Sequence, residues 1–133
     1  MYRKIIEPRV SETDGVGHIN NTTLPIWFEA GRNEIFKLFT PDDSFLNWKM
    51  IILNMNVEYI SQIYFGTDVI VNTWVEKIGN ASLTLYEEIY QQDRICAKGH
   101  ATYVNYNLEA ERSEPIPEAI RSELAKHVYE PEA

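Results

Sequence analysis

Cysteine is nearly absent from this chain. The one residue of that type, Cys96, excludes an internal disulfide, and the three histidines, His18, His100 and His127, are scattered. Without a Cys or His cluster there is no zinc-site spacing, so neither a metal nor any other cofactor is called for. No apolar stretch approaches the ~18 residues of a membrane span, and Met1 to Pro8 has no apolar run of signal-peptide length. A cytoplasmic protein without membrane partners is expected. Positive charge is scarce as well: 12 Lys and Arg stand against 20 Asp and Glu, for a net −8. That balance argues against unspecific nucleic-acid binding.

What the chain does have is core-forming material. Its composition is 44% hydrophobic and 12% aromatic, and at this length roughly two thirds of the unfolded surface can be buried without staples. A single domain over residues 1–133 is expected.

The densest chemistry lies in Thr13-Asp14-Gly15-Val16-Gly17-His18-Ile19-Asn20-Asn21. Two glycines allow a tight turn, the asparagines are good helix caps, and free N–H groups at a helix start attract developing negative charge. An aspartate before glycine can also serve only to stabilise a turn. From Leu24 to Phe39 the apolar positions Leu24, Trp27, Phe28, Gly31, Ile35, Leu38 and Phe39 recur at helical spacing, which predicts one long helix. Pro25 fits only its first turn, so the helix should start near residue 22 or 23. Gly31 lies on the apolar stripe, where it predicts close approach to a sheet. Glu29 and Arg32, three apart, read as a surface or interface ion pair.

Around the helix the pattern changes to period two. Residues 2–11 read as a first strand, and 50–60, 69–78, 81–90 and 95–108 as four more. Short polar turns between them predict an antiparallel meander following one helix. Residues 112–117, with two prolines, read as irregular, and Glu118 to Val128 as a final helix. The expected class is α+β, with one long helix packed across a curved antiparallel sheet.

One helix in a wrapped sheet, preceded by D-x-x-G-H-I-N-N, resembles the hot-dog fold thioesterases of the 4-hydroxybenzoyl-CoA thioesterase-like family. Trp27 to Arg32, Gly66-Thr67-Asp68, Gly79 to Ser82 and Arg112 to Pro117 carry the resemblance along nearly the whole chain. The resemblance implies hydrolysis of an acyl-CoA or acyl-ACP thioester in a homodimer or homotetramer whose sites lie between subunits. A thioester needs a base or nucleophile and preorganised donors for its oxygen. Asp14 would be nucleophile or general base, the Asn21 N–H the oxyanion donor, and His18 a positioning or substrate-contacting group that can equally fix the loop. Gly17, Asn20, Trp27 and Tyr59 are expected substrate contacts. Trp27, Phe28, Trp48, Met50, Tyr59 and Tyr64 can line a pocket or fill a core. Lys77, Arg94 and Lys98 are candidates for the CoA phosphates, and Cys96 reads as core. Val16 stands where plant-type acyl-ACP thioesterases carry asparagine, which removes that asparagine from the mechanism. The alternative to an enzyme is a non-catalytic hot-dog protein that binds acyl-CoA.

Overall fold

Alternation of period two runs unbroken through Ser82–Gln91, whose inward row is Leu83, Leu85, Glu87, Ile89 and Gln91, all buried. This strand, β4, lies at the middle of an antiparallel sheet in the computed structural model, which describes residues 1–130. Its partners are β3 (Val69–Ile78) and β5 (Arg94–Asn107), with β1 (Tyr2–Ile6) beyond β3 and β2 (Met50–Tyr59) beyond β5. Register shifts at Ile52/Asn54, Val75/Lys77 and Ile89/Tyr90 bend the strands. Bulges of this kind increase local twist, and they curl the sheet around its helical segment.

The expected meander holds for β3, β4 and β5 but not for β2. Rather than forming a hairpin with β3, β2 pairs with β5 at the far edge, and residues 60–68 cross from one side to the other. Burial explains the crossing. Ile63 is 3% exposed and packs with Leu24, Trp27 and Phe28, which pulls the connection across the sheet. The tail also departs from expectation. Arg112–Ser113 forms a short strand, β6, on the end of β5, and the final helix α3 stops at Ala125 (Glu118–Ala125). Beyond it His127 and Tyr129 pair by backbone with Val75.

The single long helix is in fact two: α1 (Leu24–Ala30) and α2 (Asn33–Phe39), broken at Gly31 and Arg32. A Cβ at Gly31 would lie 2.8 Å from Val71 Cγ1 and 3.0 Å from Thr73 Oγ1, so the segment rests directly on β3, as the glycine predicted. Arg32 then leaves the helical backbone region (φ −98°, ψ 0°) and turns into the sheet. It does not pair with Glu29, which is exposed. Instead its Nε donates to Glu87 Oε1 at 2.9 Å, Nη1 donates to the Tyr103 hydroxyl at 2.8 Å, and Thr73 Oγ1 donates to Glu87 Oε2 at 2.9 Å. Both charged side chains are 1% exposed. Burial alone would lower the guanidinium pKa, but Glu87 and Tyr103 reverse that and hold Arg32 charged.

Removing one member of a buried ion pair strands the other, at a typical cost of about 3–5 kcal/mol, whereas apolar replacement of both recovers much of it. Arg32→Met is therefore expected to lower the urea midpoint sharply, and Arg32→Met with Glu87→Leu to restore part of the loss.

Candidate active site

The glycine-rich segment folds as a closed turn. Thr13 and Ile19 face each other, and the Asp14 N–H donates to the His18 carbonyl at 2.9 Å. Gly15 and Gly17 have φ of +96° and +84°, a region where side chains are strained, so the turn needs glycine at both places. Asp14 is exposed. Its Oδ1 accepts the Val16 N–H at 3.2 Å, while Oδ2 has no partner among the described residues.

The crossing segment 60–68 pins this turn from outside. The Ile19 N–H donates to Ile63 O at 2.8 Å and the Phe65 N–H to Gly17 O at 2.9 Å. Between these two bonds His18 lies edge-on to Tyr64, ring centroids 5.0 Å apart. Gly17 thus holds the loop through its carbonyl, and His18 sits in the frame with its ring against an aromatic edge.

At the other end of the turn the chain enters a single 3-10 turn, Asn21–Thr23, ahead of α1. Asn20 Oδ1 accepts from Thr22 N at 2.9 Å and Thr22 Oγ1 at 2.8 Å, so the Asn20 side chain is a cap. The Asn21 N–H has no acceptor among the described residues. The Asn21 carbonyl accepts from Leu24 N and from the Tyr59 hydroxyl, the latter at 2.9 Å, which fixes the residue. Because α1 is only seven residues long, the donor strength of that N–H rests on its orientation more than on a macrodipole. Beside it opens a cavity of about 470 Å³ walled by Ile19, Asn21, Leu24, Tyr59 and Ile63.

Of the expected contacts, Tyr59 lines this cavity but Trp27 does not. The Trp27 ring is 2% exposed, within the core. Its indole N–H donates to Glu12 Oε2 at 2.9 Å. Phe28 is core as well, while Trp48 and the largely buried Met50 border a separate cavity of about 380 Å³ with Phe36, Phe45 and Tyr103. Arg94 lies over the Tyr64 ring and donates to Gln62 O, at the rim of the first cavity. Lys98 pairs with Glu58 at 3.7 Å. Lys77 is at the opposite end of β3 from Val69 and the crossing segment. Cys96 is buried in the core, as expected.

Glu12 was not legible as a site residue, yet it anchors the turn from behind. Its carbonyl accepts Asn20 N–H at 2.8 Å, and its carboxylate accepts Arg9 N–H at 2.7 Å besides the Trp27 indole. Burial opposes its charge, but those donors and the Arg9 guanidinium hold the carboxyl below the ordinary glutamate range. A depressed carboxyl pKa contributes stability above its unfolded value and loses it as pH falls through the folded value. Glu12→Gln should therefore destabilise by about 1–2 kcal/mol near neutral pH. That difference should be smaller at an acid pH below the folded carboxyl's pKa, where wild type is protonated too, than at neutral pH. Urea melts at the two pH values check this.

Comparison with known proteins gives the family and agrees with the fold. A model of the thioesterase-like superfamily matches residues 8–124. The solved structure of a predicted thioesterase from Bacillus stearothermophilus is 60% identical, covers 98% of each chain and has a TM-score of 0.93. A thioesterase from Thermus thermophilus, complexed with coenzyme A and Zn, is 28% identical over 97% of this chain and 95% of its own, with a TM-score of 0.80. In Bacillus subtilis (strain 168) the protein named "Putative acyl-CoA thioesterase YneP" is 30% identical over 91 residues, 63% of this chain. The match spans 62% of that relative's own length. The curled antiparallel sheet with its helices is the hot-dog arrangement of these neighbours, and the chain belongs to the thioesterase-like superfamily.

Proposed function

We propose that this protein is an acyl-CoA thioesterase that releases free acid and CoA-SH. One observation carries the reading: a single pinned turn has an exposed carboxylate at one end and, at the other, a cavity-lining residue, Asn21, whose backbone N–H has no acceptor among the described residues. The thioester carbonyl enters the cavity with its oxygen toward the Asn21 N–H. Asp14 then works in one of two ways. As general base it takes a proton from the attacking water; as nucleophile it forms a mixed anhydride that water later opens. In both, the carbonyl oxygen gathers negative charge that the N–H stabilises, the C–S bond breaks, and the CoA thiolate leaves and is protonated. The superfamily membership and the coenzyme A bound to the Thermus thermophilus relative support this choice of substrate.

Tyr59, through the Asn21 carbonyl, keeps the donor aimed. His18 and the Asn20 side chain belong to the frame of the turn. Arg94, at the rim, is the basic residue best placed for the CoA phosphates. Thiol release from a panel of acyl-CoAs tests the reading. Asp14→Asn should lower kcat by about 10²–10⁴-fold, the usual worth of a positioned acid–base group. An unchanged rate would refute the Asp14 assignment. Release from acyl-ACP but from no acyl-CoA would favour a carrier-protein substrate, and tight acyl-CoA retention without turnover a binding protein.

We infer, too, that the working form is a homodimer or homotetramer. β2 has β5 on one side and no strand on the other among the described residues, and Ile52 and Leu53 on it are 46% and 62% exposed. A free strand edge with apolar side chains is a template for pairing with a second copy. Sedimentation velocity should show an oligomer for wild type and a smaller species for Leu53→Asp. A monomeric wild type would contradict the inference.

A further inference from the structure

Gln91 ends the inward row of β4 and is 3% exposed. Its primary amide is spent entirely on one short piece of backbone. Oε1 accepts the Tyr64 N–H at 2.9 Å, and Nε2 donates to Tyr64 O at 2.7 Å and to Thr67 O at 2.9 Å. A buried amide with this many good bonds fixes what it touches, because each broken bond would leave a polar group unpaired away from water. What it fixes is the crossing segment, at the residue between Ile63 and Phe65. Those two hold Ile19 and Gly17 of the Asp14 turn, and Tyr64 itself presents its ring to His18.

We propose that Gln91 is the positioning residue that sets the shape of the Asp14 turn, acting through Tyr64 and the crossing segment. It touches neither Asp14 nor the cavity wall. Its effect runs from the end of β4 to Tyr64, from there to Ile63 and Phe65, and so to the carboxylate-bearing turn. The other ties on the crossing segment do not replace it. Ser61 Oγ donates to Ile95 O, the Ile60 and Ser61 N–H groups donate to Cys96 O, and Arg94 reaches Gln62 O. All of these hydrogen bonds hold the end nearer β2, before Ile63. From Tyr64 to Thr67 the hydrogen bonds to the sheet among the described residues are those of the Gln91 amide, with the Arg94 guanidinium over the Tyr64 ring as a further contact. The consequence for rate rests on the thioesterase reading; the consequence for shape does not.

Two variants of the full chain test the proposal. Gln91→Met keeps length and bulk but removes all three bonds, and Gln91→Glu keeps only the acceptor for Tyr64 N–H. In Gln91→Met the Ile19 and Phe65 amides should exchange hydrogen about tenfold faster or more, while the β4–β5 ladder keeps its protection. On the active protein kcat should fall about 10- to 100-fold with KM within about threefold of wild type. Gln91→Glu should be intermediate, and it carries the same readouts if the Met variant does not fold. Unchanged protection of Ile19 and Phe65, an even loss of protection across the sheet, or an unchanged kcat in an active protein would each overturn the proposal. Exchange is independent of hydrolysis. A wild type that releases no thiol would therefore sink the thioesterase reading and leave the exchange data to decide Gln91.

Discussion

The seating of the helical segment on β3 is the constraint on which the rest depends. Gly31 lets the backbone come within van der Waals contact of Val71 and Thr73, and Arg32 reaches down to Glu87 only because the segment is that close. The helix is interrupted at the residue that makes the ion pair, where the Arg32 backbone leaves the helical region. From this contact the position of α1 follows, and with it that of the 3-10 turn before it, where Asn21 lines the cavity.

A second constraint works on the same residues from the other side. The crossing segment lies over the Asp14 turn and closes it with two backbone bonds, while Glu12 and Trp27 hold it from the core. The turn is therefore gripped between the half-buried Glu12 carboxylate and the crossing segment, and Asp14 is left exposed at one end of it. Such an arrangement suits chemistry that needs a carboxylate and a donor at fixed separation, since positioning supplies a large part of the rate gain. The two glycines supply the positive φ values that this shape requires and that side chains would strain.

Much of this was legible in the sequence, and the failures have a common physical origin. Period-two stretches marked β3, β4 and β5, and Gly31 on an apolar stripe announced the close helix–sheet contact. The Asp14 to Asn21 string marked the turn because glycine, aspartate and asparagine act through local backbone chemistry. What escaped were polar residues whose partners are distant in sequence. Arg32 looked like half of a local pair with Glu29, because spacing along a helix sees only neighbours; its partner is on β4. Glu87 and Gln91 both interrupt an otherwise apolar inward row, the signal that a buried polar residue has found a partner, but the row does not name that partner. The place of β2 beside β5 also lay beyond local reading, since turn residues report that a connection exists and not where it leads.

A complex with an acyl-CoA analogue in which methylene replaces the thioester sulfur tests the account most directly. Its ketone oxygen should lie about 3 Å from the Asn21 nitrogen, at hydrogen-bond distance, with the Asp14 carboxylate facing the carbonyl carbon. A ketone bound instead in the cavity beside Trp48, with the Asn21 N–H left to water, would contradict it.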